Sequence, residues 1–348
     1  MQNEITKRGP LLNENGELIE QGYSKELIKD YSRKSIKANK MRIKEWDYFL
    51  VYNSDFGLCF TISDNSYMGL ASISVIDFKN KKEKTMSKID LLTNGNLNMP
   101  SFSYRGNTIY SSEKKNKRVN IGFKFIKEGR EIRAIYDGFY EDKSFTCNIV
   151  LKNEPKDSIV VATPFENDKK AFYYNQKICG YKAYGYFKIG DFKYEFNEGN
   201  TRALLDWGRG VWTRDNIWYW GSACNNINGH EVAFNIGYGF GDNSLHSENA
   251  IFYDGELHKL DRVTINIPLN ENSEYDYLKE WNISSNDKRF EMTFTPLINR
   301  SSLTDIKILI SDQNQVFGKF NGFLVLNDGK KIEVKDFLGF IERVRNKW

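Results

Sequence analysis

The stretch ALLDWGRGVWTRDNIWYWGSACN, residues Ala203 to Asn225, holds four of the chain's seven tryptophans within fourteen positions. In its second half, apolar and polar residues alternate, which is the pattern of a β-strand. The alternation places Trp218 and Trp220 on one face of the strand and Ile217 and Tyr219 on the other. One face is expected to pack in a core, and the other is available to line a ligand site.

The same alternation extends over most of the chain. It recurs from Trp46 to Thr61, from Gly69 to Asp77, from Val119 to Phe125 and from Phe145 to Lys152, where β-branched and aromatic residues are enriched. Turn sequences such as YEDK, KIGD, YDGE and NDGK follow at short intervals, as in antiparallel hairpins. Parallel strands would need long helical crossovers, and the sequence has almost none. These features predict an all-β protein.

Helical spacing is limited to the two ends of the chain. Between Ser24 and Ala38, the apolar residues recur at roughly helical intervals, and they are Leu27, Ile28, Tyr31 and Ile36. This spacing predicts one short N-terminal helix. A second short helix is predicted at the end of the chain.

The number of strands predicts two domains. About nine strand-like runs precede residue 170 and about ten follow it, which suits two closed antiparallel barrels better than one very large sheet. Closure also removes exposed strand edges. The polar sequence NDKK, Asn167 to Lys170, follows the apolar run IVVATPF and is the predicted boundary. We therefore expect an N-terminal barrel domain at residues 1–170 and a C-terminal barrel domain, with the ligand site, at residues 171–348.

Composition excludes several classes of protein. The 50 basic and 46 acidic residues are spread along the chain and give a net charge of +4, so no nucleic-acid partner is expected. The four cysteines form no CxxC pair and the three histidines are dispersed, so no metal is predicted. GYGFGD precedes no helix, which argues against a dinucleotide cofactor. No run is apolar enough for a signal sequence or a membrane span, and the expected location is the cytoplasm.

The strand-like sequence HEVAFNIGYG, His230 to Gly239, has a bulky face and a small face. The bulky face consists of Val232, Phe234, Ile236 and Tyr238. The small face consists of Ala233, Asn235, Gly237 and Gly239. If the small face points into the second barrel, it leaves room for a ligand beside the tryptophan face. The alternative is a tight barrel that closes without a cavity.

Asp206 is the candidate catalytic acid. A carboxyl group among tryptophans loses hydration, which favours its protonated form, so Asp206 is predicted to donate a proton. The alternative is an ion pair between Asp206 and Arg209 that clamps the GRG turn. Trp207 and Trp212 flank this turn, where they either line the ligand site or plug the end of the barrel.

The sequence DNSLHSENAIFYDG places His246, Glu248 and Asn249 close together. Glu248 is a candidate second carboxyl or base, since two carboxyl groups in different surroundings can divide acid and base roles. The alternative is a loop held by side chain to backbone hydrogen bonds of Asp242 and Asn243.

The sequence YYNQ, Tyr173 to Gln176, adds phenols and amides where the two barrels are expected to meet. Tyr174 and Asn175 are candidates for orienting a ligand by hydrogen bonds. The alternative is an ordinary contact between domains.

Several blocks resemble the family called domain of unknown function 2804, in the expected order and from about Ile5 to Trp348. These blocks include KEWDYFLVY, VVATPF, FYYNQKI, LLDWGRGVW, WYWGSA, NIGYGFGDNS, RFEMTFTP and SDQNQVFGKFNG. The resemblance covers nearly the whole chain, and it implies no known function.

A more distant resemblance concerns the order of YYN, a GD turn, LDWGRG, WYWG and a GHEV strand. This order is similar to that of the calycin-like group that contains carotenoid hydratase, kievitone hydratase and some fungal Diels–Alder cyclases. The resemblance implies two lipocalin-like barrels in tandem that hold an apolar ligand, with the acid of the pocket at Asp206. Trp207 stands where that group usually has a histidine, so hydratase chemistry is not implied by the motif itself.

The sequence therefore predicts a site for a small, largely apolar or aromatic molecule, and leaves three functions open. The first is a cofactor-independent lyase, hydratase or isomerase with Asp206 as proton donor and Glu248 assisting. The second is a lipid- or terpenoid-binding protein without turnover, and the third is a carbohydrate-active protein with tryptophans that stack on sugar rings. The predicted ligand-binding residues are Trp207, Arg209, Trp212, Trp218, Trp220, Asn235, His246, Asn249, Tyr174 and Asn175. The sequence does not indicate an oligomeric state.

Overall fold

The structure, a computed structural model, describes residues 2–305 and 310–348. These residues form two curled antiparallel sheets, one after the other along the chain, as in tandem lipocalin-like barrels. The prediction of an all-β protein with two barrels is therefore confirmed. A small parallel pair, β1 (Gly9–Pro10) with β3 (Lys29–Asp30), precedes the main strands.

The first sheet contains thirteen strands. They are β2 (Gly22–Ser24), β4 (Ile43–Tyr52), β5 (Phe56–Asp64), β6 (Met68–Asp77), β7 (Lys82–Leu91), β8 (Thr108–Lys114), β9 (Lys117–Ile126), β10 (Gly129–Tyr140), β11 (Lys143–Lys152), β12 (Ile159–Phe165), β13 (Asp168–Ile189), β14 (Phe192–Phe196) and β15 (Arg202–Val211). The order in the sheet is β7-β6-β5-β4-β15-β13-β11-β10-β9-β8, with β12 and β14 also paired to β13 and β2 paired to β12. The long crossover between β4 and β15 brings Trp46 and Asp206 onto neighbouring strands.

The second sheet contains nine strands. They are β16 (Asp215–Ile227), β17 (His230–Tyr238), β18 (Ala250–Tyr253), β19 (Glu256–Lys259), β20 (Val263–Asn266), β21 (Trp281–Ser285), β22 (Phe290–Asp305), β23 (Ile310–Val325) and β24 (Lys331–Lys347). Their order is β19-β18-β17-β16-β24-β23-β22-β21-β20. The last strand of the chain therefore lies in the middle of the sheet, next to β16.

The chain passes from the first sheet to the second between Val211 and Asp215. The boundary expected at residue 170 falls near the start of β13, which is a central strand of the first sheet. We propose residues 212–214 as the division between the two units, because sheet membership changes there.

The predicted N-terminal helix is wrong. Residues 24–38 form extended chain, the short strand β3 and a 3-10 turn at Arg33–Ser35. Their backbone carbonyls accept from distant segments, as when Ser158 N–H donates to Lys25 O and Gly9 N–H donates to Ile28 O. These tertiary partners replace the hydrogen bonds that a helix would make, while Leu27, Ile28 and Tyr31 remain buried. The second predicted helix is also wrong, because the end of the chain is β24.

The interior of the second sheet is filled by aromatic and aliphatic side chains. The ring of Phe234 lies 4.9 Å from that of Phe320 and 5.0 Å from that of Phe290, centroid to centroid. The bulky face of β17 therefore points inward, opposite to the orientation that the cavity hypothesis required. The small face, with Ala233 and Asn235, points toward the first sheet.

Two glycines of the DWGRG sequence leave room for indole rings. Gly208 pairs with Trp46 across β15 and β4, and a Cβ added at Gly208 would lie 2.0 Å from the Trp46 ring. A Cβ at Gly210 would lie 2.4 Å from Phe172 O and 3.2 Å from the Trp212 indole nitrogen. The glycines thus position the two tryptophans against the sheet.

Gly208→Ala should destabilise the protein by about 2 kcal/mol or more, because the added methyl group overlaps the Trp46 ring in a packed environment. Urea unfolding followed by far-UV circular dichroism measures this loss. Gly122→Ala in β9 is the matched control, since its Cβ would meet atoms only at 3.9 Å. The control should be neutral or stabilising by up to about 1 kcal/mol. Equal effects of the two substitutions would contradict the proposed packing of Trp46.

Candidate inter-sheet site

The candidate site lies where the two sheets face each other. On β15, residues 206, 208 and 210 share the face that is directed toward the second sheet, because side chains alternate along a strand. On β16, Trp218 and Trp220 point back toward the first sheet, where the Trp218 ring lies 5.3 Å from the Trp212 ring. We call this region the inter-sheet site. Its members are Trp46, Tyr173, Asn175, Lys177, Asp206, Trp212, Trp218, Trp220, Asn235, Phe240, Glu248 and Glu342.

A buried ion pair lies at the centre of the inter-sheet site. Lys177 and Asp206 are register partners on β13 and β15, and Lys177 Nζ lies 2.8 Å from Asp206 Oδ1. Only 2% of the lysine side chain and 9% of the aspartate side chain are exposed. Asp206 also accepts from Asn175 Nδ2 at 2.6 Å and from Trp46 Nε1 at 3.1 Å. Three donors therefore converge on the carboxyl group, which acts as an acceptor in this structure.

Lys177 has aromatic partners on the second sheet. Its ammonium lies 4.0 Å from the centre of the Trp220 ring, a cation–π contact that joins the two sheets. It also donates to Tyr173 Oη at 3.4 Å, although this contact is long. The buried Lys177 ammonium thus contacts Asp206, Tyr173 and the indole of Trp220.

Aromatic rings form the walls of the inter-sheet site. Trp46 lies 5.8 Å from Trp212 and 6.2 Å from Tyr173, measured between ring centroids. Tyr173 stacks on Phe240 at 4.7 Å, and Phe240 lies 5.9 Å from Trp218. Trp46 and Trp218 are partly exposed, whereas the other three rings are buried. Part of the surface of Trp46 and of Trp218 is therefore accessible to solvent.

Glu248 provides a second carboxyl group in the inter-sheet site. It accepts from Tyr173 Oη at 3.3 Å and from Asn235 Nδ2 at 3.2 Å. Burial raises the pKa of Glu248 above its ordinary value and the charge of Asp206 raises it further, against the opposing effect of Lys177. Asn235 is held in turn by Trp220, whose Nε1 donates to Asn235 Oδ1 at 2.7 Å.

Glu342, on β24, provides a third carboxyl group. It accepts from Trp218 Nε1 at 2.9 Å and from Gln315 Nε2 at 3.2 Å. Burial raises the pKa of Glu342 to about 7, against the opposing effect of the Trp218 hydrogen bond. Its side chain keeps partial contact with solvent. Glu342 is therefore a group whose pKa of about 7 lies near neutral pH, beside Trp218.

Trp207 and Arg209 lie on the opposite face of β15, inside the first sheet. Arg209 does not pair with Asp206, because its guanidinium donates to Asp47 Oδ1 at 3.0 Å and to the carbonyls of Trp46 and Pro100. The Trp207 ring packs against Tyr174 at 5.7 Å. The alternative of an Asp206–Arg209 ion pair is therefore not the arrangement found: Arg209 pairs with Asp47, and the GRG sequence, expected to be a turn, is part of strand β15.

Three other predicted residues lie away from the ion pair. Tyr174 donates to Lys29 O at 2.9 Å on the far side of the first sheet. Asn249 donates to Asp261 O at 2.8 Å and accepts from Gly237 N, so it holds a loop. His246 bonds Thr163 Oγ1 at 2.8 Å, and burial lowers the pKa of its imidazole to about 4.

His246 borders a separate polar cavity of about 500 Å³. Its lining comprises Gln2, Tyr23, Asn243, Ser244, Leu245, His246, Ser247, Lys259, Leu260, Asp261, Arg262, Asn286 and Asp287. The Lys259 ammonium donates to Ser247 Oγ, Asn249 O and Leu260 O, and all three acceptors are neutral. None of these residues contacts Asp206 in the described part of the chain.

Of the predicted residues, Asp206, Trp212, Trp218, Trp220, Asn235, Glu248 and Asn175 come together in the inter-sheet site. Sequence reasoning missed Lys177, Trp46 and Glu342. Lys177 belongs to the FYYNQKI block, where alternation puts it on the same face as Asn175 and Tyr173. A lysine at that spacing, on a strand of otherwise buried residues, was a usable signal. Glu342 lies in a mixed segment of charges that gives no such signal.

No three His, Cys, Asp or Glu side chains within residues 2–305 and 310–348 are grouped so that they could hold a metal ion. In the same part of the chain, no helix has the length and apolar character needed to cross a membrane.

The fold and the site define a tandem β-barrel protein with a charged, aromatic site between its two sheets. The chain belongs to the family described as domain of unknown function 2804, whose family model matches residues 2–348. No curated protein matches the sequence.

Two solved structures illustrate the fold. A protein of Nitrosomonas europaea, provisionally called ATTH, is similar with a TM-score of 0.50 and 12% identity over 90% of this chain and 96% of that one. Kievitone hydratase from Nectria haematococca is similar with a TM-score of 0.47 and 9% identity over 88% of each chain. At these identities the similarity concerns the fold alone.

Lys177→Met should cost about 3 kcal/mol or more in unfolding free energy, because it leaves the Asp206 carboxyl buried without its cation. Asp206→Asn should also destabilise, and the double variant should lose less than the sum of the single losses. Urea unfolding of wild type, the two single variants and the double variant gives the coupling free energy between Lys177 and Asp206.

Lys156 and Glu256 form the matched control, since they are also 2.8 Å apart but largely exposed. The double-mutant cycle of Lys156→Met and Glu256→Gln should give a far smaller coupling free energy. Additive losses at Lys177 and Asp206 would contradict a stabilising buried pair.

The pH dependence of stability tests Glu342. Its pKa is about 7 in the folded protein and near 4.5 in the unfolded chain, so the folded state binds the proton more tightly. The stabilising effect is complete below pH 4.5 and is lost as the pH rises to about 7. The stability of wild type relative to Glu342→Gln should fall by about 3 kcal/mol between pH 4 and pH 8. Glu333→Gln, an exposed position on the same strand, is the control. Parallel pH curves for wild type and Glu342→Gln would refute this account.

Proposed function

We propose that the protein binds a small, largely apolar or aromatic molecule at the inter-sheet site and transfers protons to or from it without a cofactor. The reaction classes that fit are isomerisation, hydration and elimination. The observation that carries the proposal is the grouping of three carboxyl groups and one ammonium inside walls of tryptophan, tyrosine and phenylalanine. Such groupings of perturbed titratable residues are more frequent at functional sites than elsewhere.

The proposal changes the role that the sequence indicated for Asp206. Because Asn175, Lys177 and Trp46 all donate to its carboxyl group, Asp206 is better suited to remain ionised and to orient neighbouring groups than to donate a proton. Glu342 and Glu248 have raised pKa values and are the better candidates for the proton donor. The three carboxyl groups thus have different roles because their surroundings differ.

Glu342 is the favoured donor of the two. Its pKa of about 7 keeps a substantial fraction of the carboxyl protonated at neutral pH, and an acid is most efficient when its pKa lies near the working pH. It also lies beside Trp218, which is partly exposed. Glu248 is enclosed by Tyr173 and Asn235, which suits a supporting role.

The aromatic walls supply the binding energy in this proposal. Trp46 and Trp218 present partly exposed ring surface, and indole faces bind apolar or aromatic molecules by area and by ring stacking. The Trp218 and Trp46 nitrogens are already used by Glu342 and Asp206, so these rings contribute their faces and edges rather than hydrogen bonds.

Binding is tested with 2-naphthamide, a neutral aromatic probe, on protein labelled with ¹⁵N. The indole N–H signals of Trp46, Trp212 and Trp218 should shift on titration, whereas that of Trp281, buried in the second sheet, should not. Trp218→Ala should weaken the binding about tenfold. Trp281→Phe, a substitution away from the site, is the control. Shifts limited to Trp281, or no shift at all, would contradict the proposed site.

Turnover is tested on the compound that co-purifies with the protein, identified by native mass spectrometry. Wild type should convert this compound or exchange one of its carbon-bound protons in deuterated water. Glu342→Gln and Asp206→Asn should each slow the reaction by about 100-fold or more while binding persists. If wild type binds the compound but neither converts it nor exchanges its protons, the protein is a binding protein, and the catalytic part of the proposal is contradicted.

A further inference from the structure

We infer that Arg300 binds a carboxylate of the molecule held at the inter-sheet site, which makes the substrate class an apolar or aromatic acid. This inference rests on the proposed function and specifies its ligand. It concerns a residue that sequence reasoning did not single out.

Arg300 joins the two sheets at the edge of the site. It lies on β22 and is the register partner of Gln315 on β23. Its Nε donates to Gln315 Oε1 at 3.1 Å, and its Nη1 donates to Ser74 Oγ at 2.9 Å on β6 of the first sheet. The residue as a whole is partly exposed, and its guanidinium is held from both sheets.

The guanidinium of Arg300 has no carboxylate within 4.0 Å among residues 2–305 and 310–348. The three fully buried arginines differ in this respect. Arg130 pairs with Glu154, Arg202 pairs with Glu231, and Arg209 pairs with Asp47. The two acceptors of Arg300, Gln315 Oε1 and Ser74 Oγ, are neutral, and Nη2 has no protein acceptor in the same residues. A charged donor edge is therefore available for an anion.

One carboxamide separates Arg300 from the acid–base groups. Gln315 accepts from Arg300 through Oε1 and donates through Nε2 to Glu342 at 3.2 Å and to Tyr48 Oη at 3.2 Å. The Tyr48 ring lies 5.8 Å from the Trp220 ring, centroid to centroid. Trp218 also donates to Glu342, so Gln315 and Glu342 connect the guanidinium by hydrogen bonds to the indole against which the ligand ring would lie.

The chemistry of this position favours a carboxylate over other polar groups. A guanidinium presents two parallel N–H donors that match the two oxygens of a carboxylate. An arginine keeps its charge even when it is partly buried, and an unpaired buried charge is costly. Glu342 and Glu83 act on the Arg300 charge only from beyond ion-pair distance. A bound acid would supply a direct ion-pair partner and would place its apolar part against the tryptophans.

The test compares 2-naphthoate with 2-naphthamide, which differ in charge but hardly in shape, by the shifts of the tryptophan indole N–H signals. Wild type should bind 2-naphthoate about tenfold or more tightly than 2-naphthamide. Arg300→Gln should abolish this preference, and Arg300→Lys should restore part of it because the charge returns without the paired donors. Arg262→Gln, in the separate polar cavity, is the matched control and should keep the full preference.

Each outcome has one meaning. Equal binding of both probes to wild type, with shifts at Trp218, overturns the role of Arg300 and leaves the proposed function in place. The role of Arg300 is also overturned if the preference for 2-naphthoate is lost in Arg262→Gln and retained in Arg300→Gln. The carboxylate would then bind in the polar cavity. Absence of shifts at Trp46, Trp212 and Trp218 with either probe contradicts the proposed function itself. Thermal unfolding of Arg300→Gln and Arg300→Lys checks that both variants are folded.

Discussion

The ion pair between Lys177 and Asp206 is the constraint on which the rest of the site depends. A lysine ammonium that is 98% hidden from solvent is tolerated only when its charge is compensated, and Asp206 provides this at 2.8 Å. Register fixes the pair, because the two residues face each other across β13 and β15. Trp220 then covers the ammonium from the second sheet, so the charge of one barrel is enclosed only when both barrels are in place.

Side chains alternate between the two faces of β15, and the two faces have different roles. Asp206, Gly208 and Gly210 face the second sheet, where the small residues admit the rings of Trp46 and Trp212. Trp207 and Arg209 face the interior of the first sheet, where the guanidinium binds Asp47 and backbone carbonyls. The same short sequence thus builds a structural clamp on one face and a charged, aromatic surface on the other.

The sequence predicted the architecture because strand periodicity and turn residues are local features. It also grouped Asp206 with the tryptophans of β16. In the structure, Lys177 contacts both the Asp206 carboxyl and the Trp220 ring, and a functional site at this position stays a prediction. It failed for residues 24–38, because apolar spacing there is satisfied by tertiary contacts of an extended segment. It also failed for β17, because alternation separates two faces and does not say which one points inward.

The partners of Asp206 could not be predicted from the local sequence pattern. Trp46 is 160 positions away along the chain and reaches Asp206 only through the pairing of β4 with β15. Glu342 and Arg300 come from β24 and β22, and nothing in their neighbours indicates that they approach Trp218 and Ser74. Long-range sheet topology decides these contacts, and a single sequence carries little information about it.

A crystal structure of the protein soaked in 2-naphthoate tests the central claim most directly. The account predicts density for the naphthyl ring between Trp46 and Trp218, with the Lys177–Asp206 pair beneath it and the interior of the second sheet unchanged. Density confined to the polar cavity beside Lys259, or inside the second sheet around Phe234, would contradict a ligand site between the sheets.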